Sequence, residues 1–427
     1  MDETASPAAR PRMSADFWKF WTGQTISQLG SSFTLFATPL LIFKLTHSSV
    51  NLGIATAANF VPYLLFGLVI GAWVDRLDRK RLMIVVDLGR AAIIAMIPLL
   101  SVIGLLRVWQ IYLIGFASST LTIFFESSEF AAIPSLVGEE DLVTANGRIQ
   151  ASYSGAQVAG PLLAGLLLAL VKIETVFLVD ATSFVVSAYS LGLVGVSFNR
   201  EPAHRERTTI RKDVAEGLRY VLGHPVLRNI SAMMALFNFV GVTTFTQLVL
   251  FSKVRLHASD AQVGFLFSAG SAGVVLLGLL AGRIRKKLSF GPAALGSLFI
   301  TGGLTVAFAM NRLYWLALLL WGLNGGLGIF FNINTGSLRQ AIVPNHLLGR
   351  IISIAGVLAW SAIPLGGLLG GFVIKWTGNV ALVYGVIGVI LSAIAIWFFF
   401  FSPLGHAERY LPGGDLAQEA EAAPVAR

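Results

Sequence analysis

The stretch "GAWVDRLDRKRL", Gly71 to Leu82, holds four cations (Arg76, Arg79, Lys80 and Arg81) and two acids (Asp75 and Asp78). Apolar runs long enough to cross a bilayer flank it, and Arg90 follows inside the second run. So dense a charge knot between two greasy segments reads as a short loop at a membrane surface. The rest of the chain agrees. Of 427 residues, 55% are hydrophobic and 12% charged, against about 25% charged in soluble domains. This composition is that of an all-α membrane protein, because lipid cannot satisfy an open backbone. The formal net charge of +9 sits in short loops rather than on one soluble face, which excludes a nucleic-acid binder. With no cysteine, disulfides, thiolate metal sites and cysteine catalysis are excluded. No cofactor and no metal is expected.

A bilayer-spanning helix needs about 20 apolar residues. That ruler predicts twelve transmembrane helices, at about 17–44, 51–74, 82–104, 109–137, 144–170 and 175–197, then 227–254, 260–282, 290–310, 313–343, 349–375 and 379–401. With the N-terminus inside, 23 Lys and Arg fall on the inner side and 7 on the outer. The positive-inside rule then predicts a multi-pass protein of the cytoplasmic (inner) membrane with both termini cytoplasmic. The first span is too long for a signal-peptide core, so no cleavage is expected.

The chain reads as two pseudo-symmetric six-helix bundles. "GAWVDRLDRK" at Gly71 aligns with "GLLAGRIRKK" at Gly278, an offset of 207; Pro161 and Pro364 differ by 203; Gly147-Arg148 and Gly349-Arg350 differ by 202. The organisation predicted is a cytoplasmic tail (1–16), an N-terminal bundle (17–197), a cytoplasmic linker (198–226), a C-terminal bundle (227–401) and a cytoplasmic tail (402–427). In the linker Ile210, Val214, Leu218 and Val221 recur at helical spacing, which predicts an amphipathic helix along the inner membrane surface. The tail after Ser402 is rich in Ala, Glu, Gly and Pro and is expected to be disordered. Transporters built from such repeats bind substrate between the halves, near the midplane.

On these residues the chain resembles a transporter of the major facilitator superfamily. Gly71, Asp75, Arg76, Arg79 and Lys80 match that family's loop signature Gly-x-Leu-Ala-Asp-Arg-x-Gly-Arg-Arg, with Trp73 in place of Leu and Asp78 in place of the second Gly. "AGPLLAG", with Gly160, Pro161 and Gly165, is similar to the Gly-Pro motif of antiporter branches; Pro364, Gly366 and Gly367 are its counterpart in the second half. "FLVDATSFVVSA", "LVTANGRIQ" and "LLGRIISIAG" resemble the macrolide-efflux and siderophore-export branch of drug:proton antiporters. The resemblance implies export of amphipathic small molecules by alternating access, coupled to protons. It also implies that Asp75 latches the inner side against the helix starting near Leu348, where the helix dipole favours an anion. Simple positive-inside anchoring is the other reading of Arg79, Lys80 and Arg81.

Intramembrane charges are candidates for function. Asp87 and Arg90 share a face of the third span, and Glu126 and Glu129 a face of the fourth. Arg90 and Glu129 both lie roughly 12 Å from the inner end, so Arg90 can pair with one of the two glutamates; a static ion pair is the other reading of Asp87–Arg90 and of Glu126. Asp180 stands in the sixth span. Between Gly217 and Ala407 the only acid is Asp260, which confines any proton-carrying carboxylate to the first half. Burial and a nearby arginine act on a carboxylate's proton affinity in opposite senses, which makes Glu126 the candidate for coupling. Polar or aromatic residues expected at the substrate cavity are Gln24, Gln28, Phe33, Phe125, Gln150, Tyr153, Gln157, Asn238, Phe245, Asn324, Asn332 and Trp360. Bridging between helices is the other fate of such polar groups.

The partners expected are a small-molecule substrate, protons and the lipid bilayer, with no nucleic acid, and the chain is expected to be a monomer. An ATP-driven pump is disfavoured by the lack of a G-x-x-x-x-G-K-[ST] loop and by loops too short for an ATPase domain. The six histidines are scattered through loops and tails, which disfavours an intramembrane enzyme. Uptake or lipid flipping by the same fold is the alternative function. The topology is testable directly, since the chain lacks cysteine. A Cys placed at His47 should react with an impermeant thiol reagent from outside the cell and one at His204 should not; the reverse pattern would invert the topology.

Overall fold

A computed structural model describes residues 13–74, 76–199, 210–286 and 288–410. The described residues form helices and connecting loops. In chain order the helices are α1 (Ala15–Thr46), α2 (Ser49–Val74), α3 (Arg79–Val102), α4 (Val108–Leu136), α5 (Leu142–Leu167), α6 (Ile173–Leu193), α7 (Ile210–Gly223), α8 (Pro225–Thr246), α9 (Leu248–Val254), α10 (Asp260–Arg285), α11 (Phe290–Met310), α12 (Tyr314–Ile342), α13 (Asn345–Trp360), α14 (Ala362–Thr377) and α15 (Val380–Phe401). α8 with α9 and α13 with α14 each make one broken span, so twelve spans cross the bilayer. Among the described residues, eleven segments are long and apolar enough to cross on composition alone. α5 is not among them, because it carries Asn146, Arg148, Gln150 and Gln157.

The two halves repeat their packing. α2 packs on α4 as α10 does on α12, α3 on α6 as α11 on α15, and α3 on α4 as α11 on α12. α2 and α10 are both 26 residues long and start 211 apart, at Ser49 and Asp260. The helix register therefore places Gly71 opposite Gly282 rather than Gly278, a four-residue correction to the alignment of the charged loop. The position opposite Asp75 is then Lys286.

The halves meet at two crossings, α2 with α14 and α5 with α10. Both depend on glycine. A Cβ on Gly264 would stand 2.5 Å from the Pro161 carbonyl oxygen, and one on Gly53 would stand 2.5 Å from that of Gly367. Gly53 and Gly264 are themselves 211 apart, so the two crossings are copies of one another. Polar contacts join the halves at the same end. Lys44 Nζ lies 2.5 Å from Asp260 Oδ2. Ser49 Oγ donates to the Gly371 carbonyl at 2.7 Å. Gln247 Nε2 donates to the Ser49 carbonyl at 2.8 Å, and Thr56 and Thr246 share a hydroxyl contact of 3.1 Å. Among the described residues, the close backbone contacts and hydrogen bonds between the halves gather at this end rather than at the opposite one, which carries the 71–82 loop.

Two expectations gain detail here. α7 forms where the amphipathic helix is predicted, and its C-terminal end packs onto the protein: Val221 is buried with Leu227 of α8, Val343 at the end of α12 and Ile351 of α13. Pro403–Tyr410, expected to be disordered, forms two short 3-10 turns broken by a kink at His406. Leu404 and Ala407 are buried there, and Glu408 accepts from the Gly291 N–H at 3.3 Å. Residues 411–427 lie outside the described residues, as do 1–12 and 200–209 of the predicted tail and linker.

The glycine crossings make a testable demand. Gly264→Ala presses a methyl onto the Pro161 carbonyl, an overpacking that costs about 1–3 kcal/mol. A single Cys at Thr56, beneath the joined end, should then become about 5- to 150-fold more accessible to thiol reagent entering from that side. Unchanged labelling would mean that the crossing does not close this end.

Candidate functional site

Between the two bundles lies a cavity of about 490 Å³. Its N-terminal wall comes from α1 (Gln28, Ser31, Leu35, Thr38), α2 (Thr56, Asn59, Tyr63), α4 (Ser119, Thr122, Phe125, Glu126, Glu129) and α5 (Tyr153, Gln157). Arg90, Asp180 and Phe184 close it behind, and Val242, Phe245, Thr246 and Phe267 face it from the second half. Aromatic rings thus line both sides, and most of the hydrogen-bonding groups come from the first half. A volume near 500 Å³ falls in the range of sites for drug-sized ligands, roughly 300–1,000 Å³.

The charged residues that line the cavity, Arg90, Glu126, Glu129 and Asp180, all belong to the first half. Arg90 is 8% exposed and Asp87 fully buried, and their side chains are 3.5 Å apart. Asp87 Oδ2 accepts from Ser187 Oγ at 2.6 Å, and that hydroxyl accepts from Gln24 Nε2 at 3.0 Å. The guanidinium also lies over the Phe184 ring, 4.0 Å from its centroid, with Phe125 at 5.6 Å. Of the two readings of Arg90, the structure shows the ion pair with Asp87 and not one with Glu126 or Glu129. An i,i+3 partner on its own helix is available in every conformation, whereas the glutamates face open space. Glu126 and Glu129 line the main cavity and also a smaller one of about 210 Å³ between α1, α4 and α5. Asp180 is 1% exposed; Ser183 Oγ donates to its backbone carbonyl at 2.7 Å and lies 3.4 Å from its Oδ1.

Of the residues expected at the cavity, Gln28, Phe125, Tyr153, Gln157 and Phe245 line it. Gln24 and Gln150 line the smaller one. Phe33 does not: it faces a groove between α1 and α6 on the far side of α1, with Leu178 and Val179. Asn238 bridges α8 to α13 by donating to the Ala359 carbonyl at 2.8 Å. Asn324 bridges α12 to α11 through Thr305 Oγ1 at 2.9 Å. Asn332 and Trp360 are exposed outside the cavity lining. Gly160 lies against Ser32 of α1, Pro161 and Gly165 against α10, Gly366 against the Phe239 carbonyl of α8 and Gly367 against Thr56 of α2; Pro364 is buried. Asn59 and Tyr63 were missed, although their spacing of four marks a polar stripe on α2. Asn59 Oδ1 accepts from Ser119 Oγ at 3.2 Å.

The charged loop fastens its own half. Asp78 caps α3 by accepting from the Arg81 N–H at 3.0 Å. Arg79 donates to the Phe198 carbonyl at 3.3 Å, and Lys80 to that of Val194, at the C-terminal end of α6. Cations are favoured at that end of a helix. Arg76 is exposed. Asp75, and the side chains of Gly71 and of residues 345–350 that would receive the latch, lie outside the described residues.

Comparison with known proteins fits this architecture. The chain is 26% identical over 361 residues to "Macrolide efflux protein A" of Streptococcus pyogenes, covering 83% of this chain and 88% of that one. It is 26% identical over 357 residues to "Multidrug efflux pump Tap" of Mycolicibacterium fortuitum, covering 80% and 85%. A bacterial homologue of the iron transporter ferroportin superposes with a TM-score of 0.71 in its inward-facing state, at 17% identity over 89% of this chain and 98% of that one. Its outward-facing state, with soaked iron, gives 0.55 at 17% identity over the same shares. The family model of the Major Facilitator Superfamily matches residues 20–363. Twelve spans in two repeated bundles, a cavity between them and this match together mean that the chain belongs to the Major Facilitator Superfamily.

Proposed function

We propose that this protein exports amphipathic small molecules across the cytoplasmic membrane, in exchange for protons, by alternating access. The observation that carries this reading is the cavity itself: drug-sized, lined by aromatic rings from both halves, with two glutamates among them on the first-half side. The relatives named for macrolide and multidrug efflux support export. The positive-inside rule puts the end with the charged loop in the cytoplasm. The conformation is then inward-facing, in keeping with its closer likeness to the inward-facing ferroportin homologue. Both termini are cytoplasmic and the working unit is a monomer.

In this reading an amphipathic cation enters from the cytoplasm, buries its apolar face against Phe125, Phe245 and Phe267, and meets Glu126. A carboxylate cannot hold a proton and pair with a cation together, so loading substrate expels the proton. Arg90, held by Asp87 and stacked on Phe184, supplies fixed positive charge beside the glutamates. Asp75 forms its latch when the protein turns outward. The cost of turning is set by contacts of about 0.3–2 kcal/mol at such helix ends, small enough to bias the equilibrium without locking it.

Two variants test it in inverted membrane vesicles with an imposed pH gradient. Glu126→Gln should abolish uphill accumulation of drug while keeping substrate binding and passive exchange; undiminished pumping would pass coupling to Glu129 or Asp180. Asp75→Asn should cut transport several-fold with the protein still in the membrane; wild-type rates would leave the loop only a topology signal. Cells with and without the chain should differ in drug and siderophore accumulation. Higher accumulation in cells that carry it would favour uptake, and an altered leaflet distribution of labelled lipid would favour flipping.

A further inference from the structure

The main cavity and the smaller chamber share only Gln28, Glu126, Glu129 and Tyr153. The smaller one is built entirely within the first bundle. Trp21, Gln24 and Thr25 come from α1, and Ile149, Gln150 and Ser152 from α5. Its volume of about 210 Å³ is below the roughly 300 Å³ at which drug-sized sites begin, yet leaves room for several waters. Its lining suits water: Gln24, Gln28, Thr25, Gln150, Ser152 and Tyr153 all carry hydrogen-bonding groups. Trp21 contributes a buried indole N–H without a protein acceptor. A hydrogen bond of 3.1 Å between Thr25 and Ser152 ties α1 to α5 at this level. The lining residues lie in the N-terminal parts of α1 and α5, toward the end that carries the 71–82 loop. There Arg148 stacks on Trp18 at 4.6 Å, and Trp18 meets Trp21 at 5.4 Å.

We propose that this chamber is a water-filled side route by which protons reach and leave Glu126 and Glu129 while the main cavity holds the substrate. It deepens the proton-coupled reading above and rests on it. A single shared cavity would force substrate and water to compete for one path, so a bulky apolar substrate would seal the proton behind it. With two chambers, substrate closes the main cavity while the carboxyl O–H bond breaks on the other side. The proton passes to a chamber water as hydronium, and the carboxylate remains to pair with the substrate cation. The titratable and charged groups facing the glutamate pair are Tyr63 from α2, Asp87 and Arg90 from α3, Tyr153 from α5 and Asp180 from α6. α1 presents the neutral Gln24 and Gln28.

The cysteine-free chain allows a test of separateness that needs no substrate. Thr122 and Gln157 line the main cavity alone, and Ser152 the side chamber alone. With Gln157→Trp filling the main cavity, a Cys at Thr122 should react at least ten-fold more slowly with aminoethyl methanethiosulfonate. A Cys at Ser152 should stay within two-fold of its rate without the Trp. Equal slowing of both would overturn the two-chamber reading. The proton role is tested in inverted vesicles with erythromycin as probe. Ser152→Leu should lower pH-driven accumulation at least ten-fold and leave counterflow exchange within two-fold, while Ser152→Ala, which keeps the chamber open, retains both. Loss of both activities in Ser152→Leu, or of neither, would overturn the route. Glu126→Gln measured beside them separates the failures: if it still pumps uphill, the assignment of coupling to Glu126 falls, whatever the labelling shows.

Discussion

Everything that gives this protein an inside and an outside depends on how closely two pairs of helices cross. Without a hydrophobic force between helices in lipid, close packing must come from small residues that let backbones touch. Gly53 against Gly367 and Gly264 against Pro161 do this at one end of the molecule. Because the two contacts are related by the internal repeat, closing one favours closing the other. The lysine–aspartate contact between Lys44 and Asp260 sits above them, but an exposed pair adds only about 0–1 kcal/mol. The glycine crossings therefore carry the closure of that end.

A second constraint is the expense of charge in lipid, about 2.5–3.5 kcal/mol per residue at a helix centre on insertion scales. Asp87 and Arg90 meet it by pairing with each other, with Ser187 and Gln24 on the aspartate and Phe184 under the guanidinium. Glu126 meets it differently, by facing the cavity, where water can reach it. The two solutions leave one set of charges fixed and the other able to respond to what enters.

Much of this was legible in the sequence, because lipid allows so few answers. Span positions follow from run length, and the predicted ends fall within a few residues of the helix ends. α1 shows both the reach of pattern reading and an avoidable slip. Gln28, Ser31, Leu35 and Thr38 recur at intervals of three and four and do line one cavity wall. Phe33 is two residues, about 200°, round the wheel from Ser31, so the same periodicity excludes it. Which helix receives a polar side chain was not legible: Asn238, Asn324 and Gln247 each find a backbone or hydroxyl partner that only tertiary packing supplies. Arg90 went to its own helix for the same reason, since sequence depth cannot rank partners that lie at one level.

The internal repeat also explains why the chemistry is one-sided. α4 and α12 are both 29 residues long and start 206 apart. At that offset "IFFESSEF", 123–130, falls on "IFFNINTG", 329–336. Ser128 and Asn334 keep the same local bond, each donating to the carbonyl four residues back at 2.8 Å, so the helices remain true copies. Yet Glu126 is replaced by Asn332 and Glu129 by Thr335. The copy keeps hydrogen-bonding capacity and loses ionisation. The cation is lost with the acids: α11, the counterpart of the Arg90 helix, carries no charged residue between Phe290 and Met310. Removing one partner of a buried pair leaves the other uncompensated, at several kcal/mol, so the network is stable only whole or absent. Arg339 is the one cation left in α12, and it stands in the last turn, where helix carbonyls favour positive charge. The second half thus shapes the cavity and turns against the first, while ionisation of the membrane-embedded site belongs to the first half alone.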